Sequence, residues 1–414
     1  MNPLLVSGFG ISIHVDRRKL VVHDRLKDEK IAFYPHQIDF DSIIIDGHTG
    51  NITFEAIRWL MKHDINVTLL TWNGNLLGSV LQKEPKSGKL RVKQYSKYLD
   101  GKSRFAIASG LVGQKIEHTF SLLTELSRYY PEIDLAKVER VFEIEKSNYS
   151  IGQKSVNHLI NYEGRIATFY WDCLVKAFNR LYPNFHFQSR KNKSYSWNMN
   201  ASDEVNALFN YGYAVLESEV RKAINAVGLD PTVGFLHELA ESKEPLVYDI
   251  QELFRWLIDL SVIQLLEERK LKKSDFIVTE NYHIRLKQSA AKALIEKISI
   301  NFNKKVMYKR NKRYSYQSIL LDNVQQLANL ISDKCKGDSS IFTIPKIVIE
   351  RNDSLNMRER ILNMSPAERK YLGINKSTLW YMKRNVAAGK KIKVYDKVLN
   401  RLCVTPALER GASD

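Results

Sequence analysis

The sequence predicts an α+β multidomain chain: a β-rich N-terminal domain, a mainly α-helical domain, and a C-terminal helix-turn-helix domain. Three observations carry this. Over residues 1–95, short apolar runs are separated by turn residues, as strands require. Over 102–335, apolar residues recur at spacings of three and four. Over 346–414, helix-start signals coincide with dense positive charge. A chain of 414 residues also exceeds what one core comfortably fills.

In the first part, Ile11 to Val15 and Lys19 to Val22 flank the turn Asp16-Arg17-Arg18, a hairpin pattern. Ser42 to Ile45 reads as a buried strand closed by Asp46 to Gly50. A helix is predicted over Thr53 to His63, followed by a strand over Val67 to Thr71. Trp72-Asn73-Gly74-Asn75 then supplies the Asn-Gly pair that marks a hairpin turn. In the second part, Leu122, Leu123 and Leu126, and Ala207, Leu208, Tyr211 and Val215, place apolar stripes on long helices. Lys304 to Arg313 carries six Lys or Arg and no acid, and reads equally as a solvated loop or a phosphate-contacting edge.

The last unit begins near Pro345. Residues 346–414 hold 15 Lys+Arg against 7 Asp+Glu, a net of +8. Ser365-Pro366-Ala367-Glu368 is a capping-box pattern with proline at the first helical position. Leu372 to Asn375 makes a turn, and Lys376 opens a second helix. A helix-turn-helix would place that second helix in a DNA major groove; a generic helical hairpin is the plain alternative.

The whole chain has 63 Lys+Arg and 46 Asp+Glu, a formal +17. That excess favours a polyanionic partner, because neutralising phosphates releases counterions. An unrelated basic enzyme has the same signature, so charge alone does not decide. Cys173, Cys335 and Cys403 are far apart and odd in number, which excludes a zinc or disulfide framework and fits a reducing cytoplasm. No apolar stretch reaches the ~18 residues of a membrane span, so a soluble cytoplasmic protein is expected, acting without a membrane.

Three segments could carry chemistry. Glu163, in Tyr162-Glu163-Gly164, shares a helix face with Ala167 and Tyr170, and Gly164 and Ala167 would admit a neighbouring backbone. In isolation it reads as well as a helix-surface ion pair. His237 follows Phe235 and Leu236 after the helix stop Gly228-Leu229-Asp230-Pro231, and is expected to be partly buried. A hydrogen-bonded core histidine is the bland reading. Asp249, Glu252 and Arg255 form one stripe of an otherwise apolar helix. The two carboxylates repel, and either a bound cation or Arg255 would relieve that. Together these donors make a hard site suited to Mg²⁺ or Mn²⁺, the imidazole leaning it toward Mn²⁺, in keeping with a phosphodiester reaction.

Taken in order, Tyr162-Glu163-Gly164, Glu204 to Tyr213, Gly228 to Pro231 with His237, and Tyr248 to Arg255 resemble the CRISPR-associated adaptation integrases over roughly residues 1–330. The β-domain phrase Gly50-Asn51-Ile52-Thr53 and Gly74 belong to the same resemblance. It implies a β-domain followed by a helical catalytic domain, usually a homodimer, that joins DNA 3′-hydroxyl ends to target DNA with a divalent metal. Glu163, His237 and Glu252 match the family's metal ligands, and Asp249 a neighbouring acid. Lys191 to Trp197 departs from the family, which tends to carry basic residues and a proline there. The adaptation integrases normally lack a C-terminal tail, whereas casposases, their relatives in mobile elements, usually carry one. The whole chain therefore resembles a casposase. Expected DNA contacts are Lys376, Lys383 and Arg384 on the second C-terminal helix, with Arg190 and Arg255 in the helical domain. Double-stranded DNA, as element ends and target, is the expected partner, bound by a homodimer or a higher assembly. Two rivals stand beside this reading: a spacer integrase working with a partner subunit, and a non-catalytic DNA-binding regulator.

Overall fold

The computed structural model describes residues 1–387, apart from 26, 48, 72–73, 86, 152–154, 191–200, 240, 242, 269, 280–282, 335–341, 350–360, 363, 365 and 372. The chain divides into two compact units, residues 1–347 and 348–414. Strands and helices mix within it, as the α+β reading expects.

The first unit opens with two four-stranded sheets. Strands β1 (Pro3–Val6), β2 (Ile11–Asp16), β3 (Lys19–Asp24), β4 (Glu29–Phe33), β5 (Ser42–Ile45) and β6 (Gly50–Ile52) precede helix α1 (Phe54–Lys62), and β7 (Asn66–Leu70) and β8 (Leu76–Val80) follow it. One sheet runs β1-β5-β7-β8, parallel except for the last pair; the other runs β4-β3-β2-β6. The β2–β3 hairpin closes through Arg17 (φ 46°) and Arg18 (φ 69°), with Asp16 opposite Lys19. Two successive left-handed residues match the right-handed strand twist. Thr53 caps α1 by accepting a hydrogen bond from the Ala56 amide. Ile13, Leu20, Ile43, Leu60 and Val67 form the core between the sheets and α1.

Helices then take over: α2 (Gly88–Leu99), α3 (Gly101–Ser127), α4 (Leu135–Ile151), α5 (Val156–Leu181), α6 (Glu204–Val227), α7 (Pro245–Glu252) and α8 (Arg255–Glu267). A short ribbon of β9 (Phe276–Val278) and β10 (Ile284–Leu286) leads to α9 (Gln288–Asn303). The run Lys304 to Arg313 folds as a hairpin of β11 (Lys305–Met307) and β12 (Arg313–Ser315), followed by α10 (Tyr316–Ile331). Helix α6 is the axis of this unit. It is buried nearly all round from Val205 to Leu216, with apolar Ala207, Leu208, Phe209, Tyr211, Val215 and Leu216 facing its neighbours. Helices α7, α8, α9 and α10 all pack on it. Gly228 ends it in the left-handed conformation (φ 87°), as a C-terminal glycine should.

Two expectations are corrected. Asp249, Glu252 and Arg255 do not lie on one continuous helix. Glu252 ends α7, Leu253 and Phe254 form a turn, and Arg255 starts α8. No neighbouring backbone occupies the room beside Gly164, where a Cβ would meet nothing within 4 Å.

In the second unit, helices α11 (Pro366–Tyr371) and α12 (Lys376–Ala387) are joined through Gly373 at φ 64°. Ile361, Met364, Ile374, Leu379, Met382 and Val386 form their own small core. Ser365 of the expected capping box lies outside the described residues, as do Cys335, Cys403 and the segment Lys191 to Trp197. No described helix is long and apolar enough to cross a membrane.

Candidate active site

The chemistry-bearing side chains come from four places in the helical part. Helix α3 supplies Lys115, α5 supplies Glu163 and Tyr170, the loop before α7 supplies His237, and the α7–α8 turn brings Glu252 and Arg255. All of them line one cavity of about 610 Å³.

The loop is held from behind by Asp249, which is fully buried on α7. Its Oδ2 accepts from the amides of Phe235 (2.5 Å) and Leu236 (3.0 Å), and its Oδ1 from the amide of His237 (3.1 Å). The same Oδ1 lies 2.7 Å from His237 Nδ1. A carboxylate on Nδ1 fixes that nitrogen as the donor and leaves Nε2 to face the cavity, the arrangement found behind metal-bound histidines. Burial lowers the histidine's proton affinity, but the hydrogen bond and charge of Asp249 outweigh it and raise the pKa. Close approach of loop and helix needs Gly234, where a Cβ would fall 2.8 Å from Asp249 Oδ2.

Glu252 faces two cations. Arg255 Nη1 is 2.9 Å from its Oε1, and Lys115 Nζ is 2.6 Å from its Oε2. The second contact is an ion pair by distance rather than an aligned hydrogen bond, and Oε2 is buried without a hydrogen-bond partner. Burial pushes this carboxyl up, yet Arg255 and Lys115 together hold it down to about 2. Lys115 also donates to Glu163 Oε1, so its ammonium bridges the two carboxylates.

A second layer closes the cavity. The buried carboxylate of Asp259 accepts from Tyr170 (2.6 Å) and Tyr213 (2.5 Å), and burial raises its pKa against both hydrogen bonds. Arg255 lies 4.3 Å from the centre of the Tyr213 ring. Arg190 sits among the rings of Trp171, Phe209 and Tyr213 and donates to Asn206 Oδ1 and Asn210 Oδ1. Both arginines therefore stand in the cavity wall with their guanidinium groups already engaged. Lys376, Lys383 and Arg384 lie on α12 of the second unit. Lys376 and Arg384 are exposed there, and Lys383 reaches the Met364 carbonyl.

Sequence reasoning missed Lys115 and Asp259, and named Tyr170 and Tyr213 without giving them a role in the site. Asp259, a charge within the apolar run of α8, was the one available signal, because a carboxylate there must find partners. Among the described residues, no three His, Cys, Asp or Glu side chains converge as they stand on a metal position. The donor set nevertheless fits a divalent cation. The gap between Glu163 and Glu252 is already filled by a positive group, the Lys115 ammonium, which shows the charge that gap demands.

The family model of the CRISPR associated protein Cas1 matches residues 4–299. This chain belongs to the Cas1 family. A Cas1 endonuclease of Archaeoglobus fulgidus is 28% identical over 330 residues, which is 77% of this chain and 93% of that relative. A solved casposase bound to integration product is 37% identical, with a TM-score of 0.75, over 88% of this chain and 99% of that one. A solved Cas1 protein from Thermotoga maritima shares the fold at 17% identity, with a TM-score of 0.63, over 80% of this chain and 97% of that one.

Proposed function

We propose that this Cas1-family chain is a DNA integrase of the casposase kind, joining donor 3′-hydroxyl ends to target DNA by direct transesterification. One observation carries the reading: Glu163, His237 and Glu252, from three separate segments, line a single cavity beside a lysine that bridges the two carboxylates. Glu163, His237 and Glu252 would hold Mg²⁺ or Mn²⁺, with Nε2 of the histidine as the nitrogen donor. When bound, the cation would polarise a phosphoryl oxygen and offset charge developing on it. Asp249 keeps the imidazole in the required tautomer and orientation. Arg255 holds Glu252 ionised and in place, and Arg190 adds fixed positive charge to the wall that a phosphate would face.

The functional division follows the sequence expectation: residues 1–95 as a β-rich domain, 102–335 as the catalytic domain, and 346–414 as a DNA-reading helix-turn-helix. The casposase covers more of this chain than the Cas1 relatives described above, which favours the transposase reading over spacer integration with a partner subunit. A homodimer on duplex DNA completes the proposal.

The test is a strand-joining assay on duplex oligonucleotides with Mn²⁺ or Mg²⁺ and no added protein. Glu163→Gln, His237→Ala and Glu252→Gln should each abolish joining while DNA affinity stays within about threefold, since affinity comes mainly from phosphate contacts elsewhere. Full joining by any of the three, or joining that persists in excess EDTA, removes the assignment.

A further inference from the structure

The run Lys304 to Arg313 has no part in the cavity chemistry, yet the fold builds it with care. Strands β11 and β12 pair in register, Lys305 with Ser315 and Met307 with Arg313. At the tip, Arg310 and Asn311 both adopt left-handed backbone (φ 53° and 54°), a conformation that disfavours residues with a Cβ. The ribbon is tied down behind the tip. Tyr308 donates to Asp322 of α10 at 2.8 Å, Lys309 Nζ lies 2.7 Å from the same oxygen, and Gln326 donates to it at 2.5 Å. Tyr314 meets Tyr308 edge-on with ring centres 5.7 Å apart.

This anchoring leaves the charge outside. Lys305, Arg310, Lys312 and Arg313 are exposed, and none enters an ion pair with a described carboxylate. Four like charges on a ten-residue ribbon repel one another, and a two-stranded ribbon is marginal by itself. Such a device persists when something of opposite sign lies against it. Position names the partner. β12 runs directly into α10, whose first residue, Tyr316, sets its ring 5.1 Å from Trp256 in the cavity wall. Arg313 is three residues from Tyr316, at most roughly 10 Å along the chain.

We infer that the β11–β12 hairpin is a phosphate-contacting arm at the cavity rim, gripping the backbone of duplex DNA whose scissile region enters the cavity. The inference rests on the proposed DNA-joining function but concerns affinity, not chemistry. The test is therefore equilibrium binding of the full chain to a fluorescent duplex in EDTA, over a salt series. The fourfold variant Lys305→Gln, Arg310→Gln, Lys312→Gln and Arg313→Gln is compared with wild type and with a dispersed fourfold control, Lys30→Gln, Lys62→Gln, Lys83→Gln and Lys292→Gln. Each phosphate that the hairpin no longer neutralises should reduce the slope of log Kd against log salt by about 0.9. The hairpin variant should thus fall by roughly 2–4 in slope and at least about tenfold in affinity, with unchanged circular dichroism and melting temperature, while joining at saturating DNA continues. The dispersed control should change little. An unchanged slope in the hairpin variant overturns the arm, and so does an equal drop in the control, which would make the effect one of net charge. Failure of the cavity reading is told apart by Glu163→Gln, which reports on joining and not on this slope.

Discussion

Lys115 and Asp249 show how single residues set this site. Lys115 supplies the positive charge that lets two partly buried carboxylates face one gap. Lys115→Met leaves Glu163 facing Glu252 with only Arg255 to offset the pair, so the metal-free protein should lose about 1–3 kcal/mol, the cost of buried charge left partly uncompensated. The same change removes the ammonium that a metal held as proposed would displace, so Mn²⁺ should raise the melting temperature of the variant more than that of wild type. Differential scanning fluorimetry with and without Mn²⁺ measures both effects. Equal Mn²⁺ shifts in the two proteins would exclude the lysine from the metal gap. Asp249 acts through others, bonding three amides and the imidazole but facing no cavity. Asp249→Asn keeps the size and loses the charge, and should cost about 10–100-fold in joining rate or metal affinity while DNA affinity holds. Isothermal titration with Mn²⁺ beside the joining assay separates these. Neither role was legible from residue type. The sequence offered Asp249 as one stripe with Glu252 and Arg255, and the turn at Leu253–Phe254 puts those partners on different helices.

Elements were legible where their signal is local. The capping threonine of α1, the β2–β3 and β7–β8 hairpins and the glycine ending α6 all follow from residues within a few positions of each other. What joins elements was not legible, because it depends on separations periodicity cannot span: Lys115 reaches Glu163 across 48 positions, and Asp46 reaches Tyr211 across 165. That second junction makes a prediction. Asp46, just past β5, lies 3.4 Å from the Tyr211 hydroxyl of α6. Burial raises its pKa to about 6, against the lowering effects of Arg285 and Tyr211. The folded state therefore holds this proton more tightly than the unfolded chain does. Stability from this group is fully present below about pH 4, declines as pH rises to about 6, and stays reduced above that. A shift of roughly two units corresponds to about 3 kcal/mol at most, and about 1–2 kcal/mol once partial exposure is allowed for. Asp46→Asn should abolish that decline, so the difference between variant and wild type should grow in the variant's favour between pH 4 and pH 7. Urea melts across that range measure it, and parallel pH profiles for the two proteins would remove Asp46 as the source.

At the scale of the whole molecule, the two units carry different features: 1–347 holds the cavity and the basic hairpin, and 348–414 carries α12 with charged and aromatic residues exposed. Trp380 is 63% exposed and Tyr381 55%, and Arg384 lies 5.4 Å from the centre of the Trp380 ring. Large exposed aromatics beside exposed cations suit a surface that meets another molecule. If α12 reads DNA sequence, Lys376→Gln, Trp380→Ala and Arg384→Gln together should leave the core of Leu379, Met382 and Val386 intact. They should also leave metal-dependent joining on arbitrary duplex DNA near wild type. Selectivity is what should fall. A well-placed base contact is worth about 1–3 kcal/mol, so removing even one reduces the ratio of joining on cognate over scrambled DNA by about 5–150-fold. Truncation gives the harsher version, and the fold dictates where to cut. Phe342, Ile344 and Ile347 are buried in the first unit, and Thr343 exchanges two backbone bonds with the side chain of Asn323. A chain ending after Ile347 keeps these contacts and should join DNA without preference. The assay compares cognate and scrambled ends for the full chain, the triple variant and the truncation, with no partner protein added. If the full chain shows no preference, or joins ends only when a second protein is supplied, α12 is not a sequence reader and the spacer-integration reading takes its place.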